Sequence, residues 1–344
     1  MRLFVIIFLF SLLIGQQPDK ILEGIESRAK SLDVTDRKYG DHNGNRILNR
    51  FYNFGGIGDG GNLVSGVYPF GSGHSYFYEF TPVVAASVID TNGNRVHIVS
   101  DGAVALKDNS PEGYQWGFEP LTGYANPNQE IMAMSDKSFT WPETWPNRES
   151  DWDGYWNGQY GKYVRADQES YFVMDDYYND EFAHFPDSAD TDTVPKRRSG
   201  LGVELEVRVY QWNHPAAEDI IIVTYWITNV GTSRLDSVVF GMYGDADIGS
   251  TNGDYTDDDA WFDIDNDIVY QWDHDGWSNA DGGFKPVYFG WSFLESPGNP
   301  HDGIDNDTDG MIDESQFDGI DNDEDWLAER DDIGSDGLGE YHYG

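Results

Sequence analysis

The sequence predicts a mainly β protein, built from antiparallel β-sandwich domains with long aromatic and Asp-rich loops and a repeated acidic segment near its end. Three observations support this prediction: runs of branched and aromatic residues, an Asn-Gly pair between two such runs, and an Asp-rich phrase that occurs twice. The chain has 344 residues, of which 39% are hydrophobic, so it can bury the cores of two or three domains.

The N-terminal end has the pattern of a secretory signal peptide at residues 1–15. Arg2 precedes an apolar run at residues 3–14, which is too short to span a bilayer comfortably, and Gly15 follows it. Apolar residues then recur at helical spacing between residues 21 and 32, which predicts a short helical leader within residues 16–48. We therefore expect a secreted protein, extracellular or at the cell surface, without a membrane span.

Charge and cysteine content narrow the partners of the chain. The formal net charge is -41, and phosphate binding needs clustered Lys and Arg, so nucleic acid is not expected as a partner. The chain has no cysteine, so no disulfide can stabilise an exported fold. Calcium is plentiful outside cells and can serve as a cross-link instead. Calcium ions are therefore the predicted cofactor.

The first β domain is expected at residues 49–195. Its strands are predicted in segments rich in aromatic and branched side chains, which are residues 76–80, 82–90 and 95–100. Asn92 and Gly93 separate the last two segments. This pair favours a tight hairpin, because both central residues of such a turn need positive φ.

Aromatic residues are dense between residues 114 and 178. One interpretation is a sugar platform, because flat rings stack on pyranose faces; its rings would be Trp141, Trp145, Trp152 and Trp156. The other interpretation is a core of large rings in loop-rich β structure. We prefer the core, because large aromatic side chains dominate protein cores as well as interfaces.

The second β domain is expected at residues 200–295, after a polar linker. Val203, Leu205, Val207 and Val209 alternate with Glu204, Glu206 and Arg208, which predicts a strand with one buried and one solvated face. Further strands are predicted at residues 220–228, 235–243, 268–272 and 286–293. The passage at residues 225–244, with Ile-Thr-Asn-Val-Gly-Thr in its middle, resembles immunoglobulin-like adhesion and stalk domains of bacterial surface proteins. That resemblance implies an antiparallel sandwich.

The Asp-rich segment at residues 296–344 contains the phrase Asp-Gly-Ile-Asp-Asn-Asp twice, beginning at Asp302 and Asp318. Side chains at alternate positions can converge on one calcium ion while a glycine turns the backbone around it. The predicted ligands of the first loop are Asp305, Asp307, Asp309, the carbonyl of Met311, and Asp313. Those of the second loop, which has Trp326 in place of the glycine, are Asp321, Asp323, Asp325, Glu329 and Asp332.

The phrase Asp-x-Asp-x-Asp-Gly-x-x-Asp resembles thrombospondin type 3 repeats and, less closely, dockerin loops. The resemblance implies that these aspartates bind calcium, and it implies no reaction. The alternative is an acidic solvating tail without fixed structure. The repeated spacing favours calcium loops, as do the apolar residues Ile304, Ile312, Ile320 and Trp326, which a solvating tail does not need.

A second acidic constellation lies within the second domain, and its candidate calcium ligands are Asp245, Asp247, Asp263, Asp265 and Asp267. The same stretch also contains Asp257, Asp258, Asp259, Asp273 and Asp275. Carboxylates gathered at one end of a sandwich repel each other unless cations intervene. The alternative is a solvated acidic rim, and the spacing of these residues does not decide between the two.

The sequence contains no metalloprotease, serine hydrolase or phosphate-loop motif and no cysteine nucleophile, so no catalytic residue is assigned. The order of a Trp-rich β region, an immunoglobulin-like passage and Asp-rich repeats resembles long secreted surface proteins of gram-negative bacteria. The predicted function is a calcium-stabilised structural or adhesion protein of the cell surface, with an extracellular glycan or a surface protein as partner. The alternative is a secreted carbohydrate-active enzyme or glycan-binding module that uses the Trp-rich region.

Overall fold

A computed structural model describes residues 3–13, 36–59, 64–103, 116–187, 190, 197–249, 256–264 and 266–295, the first of these segments as backbone. The helix predicted between residues 21 and 32 and the calcium loops predicted at residues 305–332 lie outside these residues. The described chain is mainly β, with a few short 3-10 helices, which confirms the predicted fold class. Within it, no helix has both the length and the apolar character needed to cross a bilayer.

The strands follow one another along the chain with the bounds β1 (Leu3–Leu13), β2 (Tyr39–His42), β3 (Asn49–Tyr52), β4 (Phe77–Ile89), β5 (Arg95–Asp101), β6 (Glu119–Pro120), β7 (Gln168–Asp175), β8 (Val203–Gln211), β9 (Ile220–Asn229), β10 (Asp236–Ala246), β11 (Asp258–Asp263), β12 (Ile268–Asp273) and β13 (Tyr288–Glu295). In the described part of the chain, short 3-10 helices occupy Ser138–Thr140, Ser150–Trp152 and Ala280–Gly282.

These strands form three sheets. The large sheet has eight strands in the order β11-β12-β13-β1-β9-β8-β7-β6, a second sheet has the order β10-β4-β5, and β2 pairs with β3. Strand β1 runs parallel to both of its neighbours, β9 and β13. The other paired strands are antiparallel. The segment predicted to be a signal peptide therefore occupies an inner position of the large sheet.

The large sheet and the three-stranded sheet pack face to face around the main core. Phe80 of β4 lies 5.4 Å from Phe289 and 4.9 Å from Trp291 of β13, measured between ring centroids. On the other side of β1, Tyr225 of β9 lies 5.3 Å from Phe240 of β10. Two sheets joined by interdigitated apolar side chains form a β-sandwich.

Strand β7 is buried on both of its faces. Phe172 and Met174 belong to the main core, whereas Tyr171 and Val173, which alternate with them, pack into a second apolar cluster with the loops at residues 121–166. The Trp-rich region thus covers the outer face of the large sheet at β7 and β8. A strand covered on both sides has no alternation of polar and apolar residues, which explains why its sequence does not predict it.

Strand pairing and a shared core connect the predicted first domain at residues 49–195 with the predicted second domain at residues 200–295. Strand β7 of the first segment pairs with β8 of the second, and β4 pairs with β10. One core holds side chains from both segments, from Ile47 to Phe289. The polar segment between them is a connection within one sandwich.

The predicted hairpin at Asn92 and Gly93 is confirmed as a connection, because β4 and β5 pair on either side of it. Its turn differs from the expected two-residue type. Gly93 has a positive φ of 84°, whereas the φ of Asn92 is not positive. Instead, the Asp90 carboxylate accepts hydrogen bonds from the backbone N–H groups of Asn92 and Asn94, at 2.8 and 2.7 Å. An aspartate that binds the amides after it stabilises a longer turn.

The alternation predicted for β8 is confirmed at its N-terminal half and fails at Arg208, which is 1% exposed. The guanidinium carbon of Arg208 lies 4.0 Å from the centroid of the Tyr171 ring, and its NH1 donates a hydrogen bond to the carbonyl of Asn157. The solvated face expected here is covered by the Trp-rich loops. An arginine tolerates that burial because a ring and a carbonyl replace part of its water.

Candidate metal centre

The β11–β12 hairpin brings together carboxylates that are distant from one another along the chain. Asp258 at the start of β11 pairs with Asp273 at the end of β12. Asp257 precedes β11 and Asp275 follows β12, so both lie at this end of the hairpin. Carboxylate oxygens of Asp257, Asp273 and Asp275 lie within 4.8 Å of one another. One ion that binds oxygen at about 2.3 to 2.6 Å can bridge such separations.

A tight turn after β12 orients two of these carboxylates. The backbone N–H of Trp277 donates to Asp273 Oδ1 at 2.9 Å and to Asp275 Oδ1 at 2.8 Å. Gly276, with φ of 73°, supplies the left-handed backbone that this turn needs. Because both side chains accept from the same amide, they are held beside each other before any ion binds.

The innermost carboxylate has an oxygen without a partner. Asp273 is 4% exposed, and its Oδ2 makes no hydrogen bond within the part of the chain that the structure describes. Asp257 Oδ1 and Asp258 Oδ1 are also buried and without a hydrogen bond there. A buried carboxylate oxygen is normally paired, since leaving it unpaired costs free energy. A cation held by Asp257, Asp273 and Asp275 would give the carboxylates of Asp257 and Asp273 the partner that they lack.

The loop after β10 adds one more carboxylate, that of Asp247, and contacts the carboxylate of Asp258. The backbone N–H of Ile248 donates to Asp258 Oδ2 at 2.8 Å, and Asp247 is only 8% exposed. The hydroxyl of Ser278 donates to the carbonyl of Gly249 at 2.6 Å, which ties this loop to the turn after β12. We refer to Asp247, Asp257, Asp258, Asp273 and Asp275 as the aspartate cluster.

The electrostatics of the aspartate cluster favour protonation in the absence of a cation. Burial, followed by repulsion from Asp247, Asp273 and Asp257, raises the pKa of Asp258 to about 7, against the opposing hydrogen bond from Ile248. Burial and the charge of Asp245 raise the pKa of Asp247 to about 6. The pKa of Asp273 is also raised, chiefly by burial. Carboxylates this close together repel one another when all are ionised. A divalent cation bound among them removes that repulsion, so binding there is strongly favourable.

The donor set indicates a hard cation. Its donors are carboxylate oxygens, without the imidazole or thiolate that zinc prefers, and calcium accepts six to eight oxygen ligands in flexible geometry. The nearby His274 is engaged elsewhere: its Nδ1 lies 2.7 Å from Asp259 Oδ2, and this contact raises the pKa of its ring. The arrangement can therefore hold one calcium ion.

The structure separates the five aspartates predicted as a second calcium site. Asp247 joins the aspartate cluster, and Asp245 lies close enough to raise the pKa of Asp247. Asp263 and Asp267 lie at the opposite, turn end of the hairpin, about 17 Å away for six residues of strand. Asp265 lies outside the described residues. The predicted grouping is therefore wrong for Asp263 and Asp267, because a strand separates them from the other carboxylates.

The predicted exposed platform fails for Trp145 and Trp156, which are 3% and 2% exposed. Their rings pack at 5.8 Å from each other, and the indole N–H of Trp156 donates to Glu169 at 2.6 Å. Trp141 and Trp152 are partly buried against the same cluster. Trp145 and Trp156 thus lie in a core of large rings, as the preferred interpretation expects, whereas Tyr155, Tyr160 and Tyr163 of the same region are exposed.

The residues that sequence reasoning left out of the site are Asp257, Asp258, Asp273 and Asp275. They were visible as part of the acidic stretch, but their grouping depends on the register of the β11–β12 hairpin, and β11 itself was not predicted. The signal that could have found them is the pairing of residues 258–263 with the predicted strand at residues 268–272. The loop ligands at residues 305–332 remain predictions.

Comparison of the chain with protein-family models, with curated proteins and with solved structures finds no match in any of the three.

Proposed function

We propose that this chain is a secreted, calcium-stabilised structural or adhesion protein of the cell surface, and we assign it no reaction. One observation carries the proposal: the oxygens of Asp257, Asp273 and Asp275 converge, and Asp273 keeps a buried oxygen without a hydrogen bond. The signal peptide predicted at residues 1–15 and the Asp-rich repeats support the same function from the sequence alone.

The position of the aspartate cluster suits a stabilising role. An ion there would join the loop after β10 to the start of β11 and the end of β12. The same loop is tied to the core, since the Asp247 amide donates to the carbonyl of Tyr76 at 3.2 Å. A cation would thus connect the edge of the large sheet to the facing sheet. A ligand present at about 100 times its Kd stabilises the folded state by about 2.7 kcal/mol.

An extracellular location makes such a site useful even at modest affinity. Calcium sites of extracellular modules work with Kd values of about 0.1 to 1 mM. The chain has no cysteine, so calcium would take over the role that disulfides have in many exported proteins.

Isothermal titration of the full chain with calcium tests the proposal. We expect heat from the unchanged protein, less heat from Asp273→Asn, and a separate loss when Asp305, Asp307 and Asp309 are all changed to Asn. The exposed Asp151, which pairs with Lys162 at 2.5 Å, provides the control Asp151→Asn. Equal heats from the unchanged protein and from both site variants would contradict calcium binding at these positions.

The surface role needs its own experiment. A glycan array and beads coated with the calcium-loaded chain would show whether it binds sugars or other cell-surface proteins. Silence on the array together with calcium-dependent bead attachment fits the proposed function. Strong array binding that persists with chelator would instead favour the glycan-binding alternative.

A further inference from the structure

The inner strand of the large sheet is the segment that export would remove. Strand β1 pairs with β9 from Val5 with Ile220 to Leu13 with Thr228, and with β13 from Leu3 with Tyr288 to Leu9 with Glu295. Residues 3–13 contain no charge and no proline. Cleavage after residue 15 would leave β9 and β13 about two strand spacings, or 9 to 10 Å, apart.

Both walls of this gap are anchored independently of β1. On one side, Phe289 of β13 is fully buried and lies 5.2 Å from Phe77 of β4, between ring centroids. On the other side, Tyr225 of β9 is 2% exposed and contacts Phe240 of β10. Strands β4 and β10 pair with each other. The facing sheet therefore spans the gap and keeps its two walls in place.

An empty gap of this kind is unfavourable. Each wall would present a row of unpaired backbone N–H and C=O groups inside a sandwich, and such edges pair readily with another strand. Collapse of the walls onto each other would require moving Phe289 and Trp291 out of their contacts with Phe80. Strand addition satisfies both edges without that movement.

We propose that the gap between β9 and β13 is a strand-acceptor slot, which in the exported chain takes an uncharged apolar segment of a partner polypeptide running parallel to both walls. The register of β1 defines the occupant: about nine to eleven extended residues without proline, since each interior residue must donate and accept backbone hydrogen bonds. The inference rests on the proposed export, because only removal of residues 1–15 opens the slot.

The test uses the exported form, residues 16–344, and a synthetic peptide with the sequence of residues 3–13 flanked by lysines for solubility. The control peptide carries Ile7→Pro and Phe10→Pro, so it keeps the charge but cannot complete the ladder. We expect the unchanged peptide to raise the Tm by at least about 3 °C and to slow amide hydrogen exchange in β9 and β13. Equal effects of the two peptides, or no effect of either, would overturn the proposal.

A second version guards against poor folding of the shortened chain. The full chain receives a protease site between Gly15 and Gln16 and is cut after folding. The cut segment should stay bound and be replaced by an excess of labelled peptide of the same sequence, but not by the proline peptide. Two results would show that there is no such slot. In one, the cut segment separates without any change in Tm; in the other, the labelled peptide never replaces the cut segment.

Failure of this inference and failure of the proposed function give different results. An exported protein whose intact mass shows that residues 1–15 are retained would overturn the slot proposal, because the slot would stay filled, and it would leave the calcium titration unchanged. Loss of calcium binding in the titration has no bearing on peptide binding.

Discussion

At the scale of single residues, the aspartate cluster gives the calcium-free protein an unusual pH dependence. The pKa values of Asp258 and Asp247 are raised from 3.8 to about 7 and about 6 in the folded chain. The folded state then holds protons that the unfolded state has lost, so the contribution of these two carboxyl groups to stability is fully present below pH 3.8 and falls as the pH rises towards 7. Calcium should reverse this loss, because binding requires the ionised carboxylates.

The measurement is thermal unfolding between pH 4 and pH 8, with chelator and with calcium. We expect the difference in Tm between the two conditions to grow with pH across this range. For the variant Asp258→Asn in chelator, we expect the Tm to fall much less between pH 4 and pH 8 than it does for the unchanged protein. A calcium effect that is the same at pH 5 and at pH 8 would contradict the assignment of these carboxylates as ligands.

His42 provides a residue-scale prediction of opposite sign. It is fully buried, its Nε2 lies 2.8 Å from the hydroxyl of Ser170, and burial lowers its pKa from 6.5 to about 3. Below pH 6.5 the imidazole of His42 binds a proton in the unfolded state but not in the folded state. The contribution of His42 to stability is therefore present above pH 6.5 and is lost as the pH falls towards 3. The loss has an upper limit of about 1.4 kcal/mol per pH unit.

Denaturant unfolding of the unchanged chain and of His42→Gln, each at pH 7 and pH 5, isolates this contribution. The variant should be less stable at pH 7, because it disturbs a buried site, yet it should lose less stability on going to pH 5. Parallel losses in the two proteins would mean that His42 is not the titrating group.

Sequence patterns locate residue types better than they locate their surroundings. The acidic stretch and the Trp-rich stretch were both visible, but the burial of Arg208 and the meeting of Asp257 with Asp273 depend on segments far away in the chain. Alternation along β8 predicted a solvated face for Arg208, and the loops that cover that face come from residues 121–166. The local sequence pattern of a strand carries no information about loops from elsewhere in the chain that pack over its face.

At the scale of elements, two glycines of β10 test how the sheets pack. A Cβ at Gly244 would overlap the ring of Phe80, which lies opposite it in the register, whereas a Cβ at Gly241 meets nothing within 4 Å. We expect Gly244→Ala to destabilise the fold by about 1 to 3 kcal/mol, as overpacked cores do. Gly241→Ala should be neutral or stabilising by up to about 1 kcal/mol, because it restricts the unfolded chain.

Denaturant unfolding of these two variants is a matched comparison, since residue type, strand and substitution are the same. Equal stabilities would indicate that Phe80 does not pack over Gly244 and would question the alignment of β10 with β4.

The elements themselves were partly predictable from sequence. Hairpin β4–β5 and strands β8, β9, β10, β12 and β13 follow from period-two or branched runs. Strand order did not follow, because the pairing of β10 with β4 joins residues about 150 positions apart, and local patterns do not encode such contacts. That long-range pairing also connects the two predicted domains through one core.

At the scale of the whole molecule, a net charge of -41 works against the stability of the folded chain through self-repulsion. Between residues 241 and 344 the only bases are Lys285 and Arg330, so repulsion accumulates towards the end of the chain. Within the described residues, the β11–β12 hairpin gathers part of that charge into buried positions at the edge of the sandwich. We propose that bound calcium neutralises this charge and so stabilises the fold.

The most direct test of this central claim is calorimetric unfolding of the full chain in millimolar calcium and in excess chelator at pH 7.5. We predict that chelator lowers the Tm by at least about 5 °C, and that Asp273→Asn lowers the Tm in calcium and shrinks this difference. A Tm that is the same with calcium and with chelator would contradict the claim that calcium holds this fold together.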